Sequence, residues 1–123
     1  MDLQLKDKII IVTGGAKGIG EGIVKALAKE DAFPVIIGRS QEDNLATVEA
    51  IKAEGGKAAQ VVAELSVAQL CEFAVKEVIR QFGRIDGLVN NAGVNDGVGL
   101  ENGNYQSFVA SLHKYVIHYY LMA

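Results

Sequence analysis

The apolar positions of this chain change period several times, and the changes mark an alternation of strands and helices. Ile9-Ile10-Ile11-Val12 is a continuous β-branched run, the pattern of a strand buried on both faces of a parallel sheet. Ile19, Ile23, Ala26 and Leu27 then recur at i, i+4, i+7 and i+8, which places one apolar helical stripe against that sheet. Val35-Ile36-Ile37 returns to the strand pattern, with Pro34 at the strand start, where a missing N–H is tolerated. A helix opening at Ser40 carries Leu45, Val48 and Ile51 or Lys52 on one face and stops at Glu54-Gly55-Gly56. Ser66 and Gln69 have capping-box spacing, and Leu70, Phe73, Ala74, Val78 and Phe82 form the next stripe until Gly83. From Tyr105 a last helix presents Tyr105, Phe108, Val109, Leu112 and Val116 and runs to the final residue. The predicted strands are residues 8 to 13, 34 to 38, 58 to 63 and 85 to 90.

No Pro/Gly/Ser linker, low-complexity tract or repeat divides these elements, so residues 1 to 123 are expected to form a single α/β domain. Right-handed crossovers predict a Rossmann-like parallel sheet of strand order 3-2-1-4 with helices on both faces. Ligands of such sheets bind at the carboxyl ends of the strands where the order reverses. Residues 13 to 20 and 90 to 95 both fall there.

The first of these segments carries chemistry. Thr13-Gly14-Gly15-Ala16-Lys17-Gly18-Ile19-Gly20 follows the first strand and opens a helix. Glycines there let the backbone turn tightly and approach a pyrophosphate, while unpaired N–H groups at the helix N-terminus attract the anion. A glycine-rich turn alone is weak evidence, but Ile9 to Ile37 also makes a strand-helix-strand unit of about 30 residues. A dinucleotide is the implied ligand.

Composition removes other classes. Half the 123 residues are hydrophobic, enough for a packed core, and the net charge of −3 without a Lys/Arg cluster speaks against a nucleic-acid partner. Cys71 has no second cysteine for a disulfide or a thiolate zinc site. The charged N-terminus and the lack of a long apolar run imply no signal peptide and no membrane partner, hence a cytoplasmic protein. His113 and His118 are five apart rather than at metal-ligand spacing, so no metal is expected, and they read as solvated or packed. None of Tyr105, Tyr115, Tyr119 and Tyr120 is followed by Lys four residues later, and all four fit core or interface packing.

Thr13, Gly14, Gly18 and Gly20, taken with Asn90-Asn91-Ala92-Gly93, resemble the classical short-chain dehydrogenases/reductases, and the resemblance runs over the whole chain as the N-terminal half of such a protein. Asn95-Asp96-Gly97-Val98-Gly99-Leu100, Ser111-Leu112 and His118-Tyr119-Tyr120 resemble the subgroup that oxidises L-fucose and related sugars. The resemblance implies hydride transfer between a nicotinamide cofactor and a sugar or other secondary alcohol, in a homo-oligomer. It implies cofactor contacts from Gly14, Lys17, Gly18, Ile19, Gly20, Arg39, Glu64, Leu65, Asn91, Ala92 and Gly93, with Asn90 steadying the sheet.

Departures from the family pattern are informative. The acidic residue that NAD-specific members carry at the end of the second strand is replaced by Gly38, followed by Arg39. Lys17 and Arg39 are therefore expected to converge on a 2′-phosphate, giving NADP as the cofactor with NAD still possible. Glu64 stands where the family has a shorter Asp, Asp31 where a glycine ends the first helix, and Tyr115 where an asparagine is usual. The family's Tyr-x-x-x-Lys pair and serine lie beyond the matched region, so the expectation is no catalytic residue here, a truncated last helix, and no turnover by the 123-residue chain alone. A non-catalytic dinucleotide-binding module is the alternative.

Overall fold

The computed structural model describes residues 1–93 and 103–123, without the side chains of residues 114 and 115. In chain order the elements are β1 (Ile9–Thr13), α1 (Gly18–Lys29), β2 (Phe33–Gly38), α2 (Gln41–Ala53), β3 (Ala59–Val62), α3 (Ala68–Phe82), β4 (Gly87–Val89) and α4 (Tyr105–Leu112). A π-helical turn at His113–Ile117 then leads into α5 (His118–Met122). The sheet has order β3-β2-β1-β4 with all pairs parallel, as the crossover rule requires.

Successive strand residues point to opposite faces, and this sorts the core in two. Ile10, Val12 and Ile36 pack with Val24 of α1 and with Val48 and Ile51 of α2. Ile9, Ile11, Val35, Ile37 and Val61 pack with Cys71, Ala74 and Val78 of α3 and with Met122 of α5. Each fully buried aliphatic side chain contributes roughly 1.5–3 kcal/mol, so the doubly covered β1 and β2 anchor the fold.

The helices start and stop largely by local chemistry. Ser40 caps α2 by accepting the Asp43 N–H at 3.3 Å. Gly83 ends α3 in the left-handed region, and Asp31 takes the same region after α1 with φ of 63°, as its short polar side chain allows. Among the described residues no helix is long and apolar enough to cross a membrane, and no His, Cys, Asp and Glu cluster is arranged to hold a metal.

Four sequence expectations are corrected. In α1, Ile23 and Leu27 of the predicted stripe pack half-buried against the core, but the fully buried positions are Gly20 and Val24, with Ile19 79% exposed and Ala26 exposed. A Cβ on Gly20 would lie 2.1 Å from the Gly14 carbonyl oxygen, so this contact sets the helix rotation and turns Ile19 outward. In α2 and α3, Leu45 and Phe73 are exposed, and the buried faces carry Asn44, Thr47, Val48 and Ile51, and Cys71, Ala74 and Val78. Ser66 does not cap α3: the N-cap is Val67, one residue later and with no side-chain cap bond, and Ser66 instead donates its N–H and hydroxyl to Glu64 Oε1, at 3.3 and 3.1 Å. The last helix is interrupted by the π turn, and Tyr105, Phe108, Val116 and Tyr120 lie outside the core of this chain.

Candidate dinucleotide site at the carboxyl ends of the strands

β1 runs into the glycine turn, and the turn is shaped by two positive φ angles, 67° at Gly14 and 55° at Gly18, which glycine adopts without strain. The Gly14 N–H donates to Ile37 O at 2.9 Å, which holds the turn against β2. Thr47 of α2 reaches over from the other side and donates its hydroxyl to Ala16 O at 3.1 Å. Lys17 is the extended N-cap of α1, and no side chain caps that helix among the described residues. The N–H groups of the first turn are thus left with the partial positive charge of the helix end. A Cβ on Gly18 would meet nothing within 4 Å. This open, uncapped and pre-curved turn fits a pyrophosphate, since an anion can come against backbone N–H groups with no side chain in the way.

The end of β4 is stitched to this turn. The buried Thr13 hydroxyl accepts the N–H of Asn91 and of Ala92, each at 3.0 Å, and donates to Val89 O at 3.4 Å. Asn91 Nδ2 donates to Gly14 O at 3.2 Å. A Cβ on Gly14 would stand 3.0 Å from Ala92 Cα. Gly14, Asn91 and Ala92 are therefore in direct contact, and Gly20 touches them too, since a Cβ there would lie 2.1 Å from Gly14 O and 2.5 Å from Asn91 Nδ2, while Gly18 and Ile19 of the same turn face outward. Gly93 follows at the exposed end of the described segment. Asn90 steadies the join to α5, donating from Nδ2 to Tyr119 O at 3.4 Å.

The ends of β2 and β3 supply the charged flank. Lys17 Nζ lies 3.0 Å from Asp43 Oδ2, and Arg39 Nη1 lies 3.8 Å from Glu64 Oε2. Each cation faces a separate carboxylate rather than its fellow, and all four groups remain accessible. The hydrogen bond from Lys17, aided by the Ser40 hydroxyl, holds the Asp43 carboxyl below its ordinary value. Leu65 is placed differently: its side chain is buried in the core beside Cys71, so only its backbone can face a ligand. Cys71 donates its thiol to Leu65 O at 3.2 Å, and burial pushes the thiol up, aided by the nearby Glu64 charge. It is a packing residue.

Two positions that support the site carried weak signals in the sequence. Asn44 and Thr47 interrupt the apolar face of α2; both are buried and hydrogen-bonded to backbone around the site. A polar residue at a core position of a hydrophobic stripe is the clue that would have found them. His118 is buried and packs edge-on to Tyr119, while His113 is exposed. Residues 95 to 100, which carry part of the sugar-dehydrogenase resemblance, lie outside the described residues, as does the Tyr115 side chain.

Known proteins are similar to this chain in sequence and in fold. An uncharacterised oxidoreductase of Methylorubrum extorquens is 46% identical over 99 residues, covering 80% of this chain and 40% of that protein. A probable galactose dehydrogenase of Rhizobium meliloti is 32% identical over 120 residues, 97% of this chain and 47% of that protein. A metagenomic short-chain oxidoreductase solved in complex with NADP has a TM-score of 0.89 and 31% identity, over 96% of this chain and 54% of that one. The chain thus spans about half the length of the relatives it matches, or somewhat less. Residues 8–119 match the sequence profile described as short chain dehydrogenase, and the chain belongs to the short-chain dehydrogenase family.

Proposed function

We propose that this chain is the cofactor-binding portion of a cytoplasmic, homo-oligomeric short-chain oxidoreductase that prefers NADP and acts on a sugar or another secondary alcohol. The observation that carries the reading is the uncapped N-terminus of α1 over the open Gly18, beside a β2 terminus that offers Gly38 and Arg39 in place of an acid. The likeness to a probable galactose dehydrogenase supports a sugar as the substrate class, and the likeness to an oxidoreductase solved with NADP supports the cofactor.

Thr13 and Asn91 hold the β4 terminus and the glycine turn in fixed register. The first turn of α1 then receives the pyrophosphate without reorganising. Lys17 and Arg39 exchange Asp43 and Glu64 for a 2′-phosphate, and each charge-assisted contact is worth about 1.5–3 kcal/mol, which is tenfold or more in affinity. When bound, the nicotinamide ring supplies the hydride donor or acceptor. None of Tyr105, Tyr115 and Tyr119 has a lysine four positions later, so none of them is assigned the proton transfer, and the chain alone is expected to bind without turnover.

Titration of the purified chain with NADP and NAD tests the reading. The expected result is binding of both, with NADP tighter by about tenfold or more. Equal affinities would remove the NADP preference, binding of neither would remove the site, and alcohol-dependent reduction of NADP by this chain would remove the assignment of the proton transfer.

A further inference from the structure

Gly38 is not a glycine for conformational reasons, because its φ lies outside the left-handed region in which Gly14, Gly18, Gly55 and Gly83 are found. What excludes a side chain there is Asn44. A Cβ built on Gly38 would lie 2.7 Å from Asn44 Oδ1 and 3.5 Å from Asn44 Cγ and Nδ2. Asn44 cannot swing aside cheaply, since it is 1% exposed and its Nδ2 donates to Gly38 O at 3.0 Å and to Gln60 Oε1 at 3.2 Å. Nor can its amide be turned over. Gly38 O is a backbone carbonyl and can only accept, so the nitrogen must face it and the oxygen must face the space over Gly38. That oxygen is buried and has no hydrogen-bond partner among the described residues.

We infer that Asn44 is a specificity-determining positioning residue, which keeps the end of β2 free of the acidic side chain that would accept ribose hydroxyls and repel a 2′-phosphate. The inference rests on the proposed dinucleotide site. An Asp at position 38 would meet Asn44 Oδ1 twice over: its Cβ would clash with that atom, and its carboxylate would face another acceptor with no proton between them. The cofactor preference is therefore held by a pair of positions, Gly38 at the strand end and Asn44 inside α2, and replacing one alone does not convert it.

Two mutant cycles test this. In the first, Gly38→Ala adds a Cβ and nothing else. It should lower the melting temperature by several degrees beside Asn44 and by much less in an Asn44→Ala background. Equal losses in the two backgrounds would overturn the lock. In the second, Gly38→Asp alone should lose NADP affinity without gaining NAD affinity. Gly38→Asp with Asn44→Ala should bind NAD at least tenfold tighter than Gly38→Asp does. Full NAD affinity in Gly38→Asp, with no further gain from Asn44→Ala, would overturn the specificity role. Failure of the unmutated chain to bind either dinucleotide would overturn the proposed function and the cofactor consequence together, while the Gly38→Ala cycle would then still decide whether Asn44 locks position 38.

Discussion

The two flanks of β1 differ sharply. On one side β2 pairs with it along its whole length, from Ile9 opposite Phe33 to Thr13 opposite Ile37, and the middle of β2 is fully buried. On the other side β4 pairs only from Ile10 opposite Gly87 to Val12 opposite Val89, and none of its residues is fully buried. The helices repeat the contrast. α1 places Val24 in the core, whereas α4 buries none of its side chains and leaves Tyr105 and Phe108 exposed. The side that carries the candidate phosphate turn is thus well packed within itself. The β4 side is held by the short ladder and by specific polar bonds: Asp86 accepting the Ile9 N–H at 2.8 Å, and Thr13 and Asn91 at the strand end. Exposed apolar side chains on the last helices favour association, which agrees with the proposed oligomer.

The contrast is broken most directly by truncating one side chain on each flank. Ile36→Ala should cost about 2–5 kcal/mol, as core truncations do, and Leu88→Ala less than half of that because its site is already half-open; urea denaturation of the two variants measures both. Equal losses would mean that the β4 flank is as tightly packed as the β2 flank. Thr13→Val should cost about 1–3 kcal/mol by leaving the Asn91 and Ala92 N–H groups without their acceptor. It should also weaken both dinucleotides, and hydrogen exchange should quicken at Asn91 and Ala92 before it does in β2.

Arg39→Ala should lower NADP affinity by about tenfold and leave NAD nearly unchanged; a matched fall for both would place Arg39 away from the 2′-phosphate. The smallest effect is acid sensitivity. The Arg80 guanidinium, helped by the Gln81 amide, holds the Glu77 carboxyl at about 2 against an ordinary 4.5. Arg84, with the Ile9 N–H, holds Asp86 below its ordinary 3.8. These lowered groups favour the folded state above about pH 4.5, and the contribution fades as pH falls toward 2 because the unfolded chain then binds more protons. Melting temperatures measured across that range should fall less steeply in Glu77→Gln.

Much of the fold was legible because β1 and β2 are uninterrupted β-branched runs and the glycine turn lies between a strand and a helix. The strand order followed from crossover handedness, and Ser40, Gly83 and Asp31 acted at helix ends as their local chemistry predicts. What stayed hidden depends on contacts between elements. The rotation of α1 is set by Gly20 against Gly14, a contact that a hydrophobic stripe anchored on Ile19 does not register. The buried face of α2 contains Asn44 and Thr47, which a hydropathy pattern assigns to solvent. Ser66 matched a capping box, yet the helix starts one residue later with Val67 at the N-cap, and Ser66 turns back to Glu64. In the site, Thr13 with the glycine turn and the Asn91 segment were legible as a pair of motifs, but that the Thr13 hydroxyl is the group that ties them together is a contact between elements.

The central claim is that the first turn of α1, approached over Gly18, is where the dinucleotide phosphates bind. Replacing Gly18 by Val puts a branched side chain into space that is now open, and an NADP titration of Gly18→Val, with circular dichroism to establish that the variant is folded, tests it most directly. The account predicts loss of measurable binding by a folded variant; unchanged NADP affinity in that variant would contradict it.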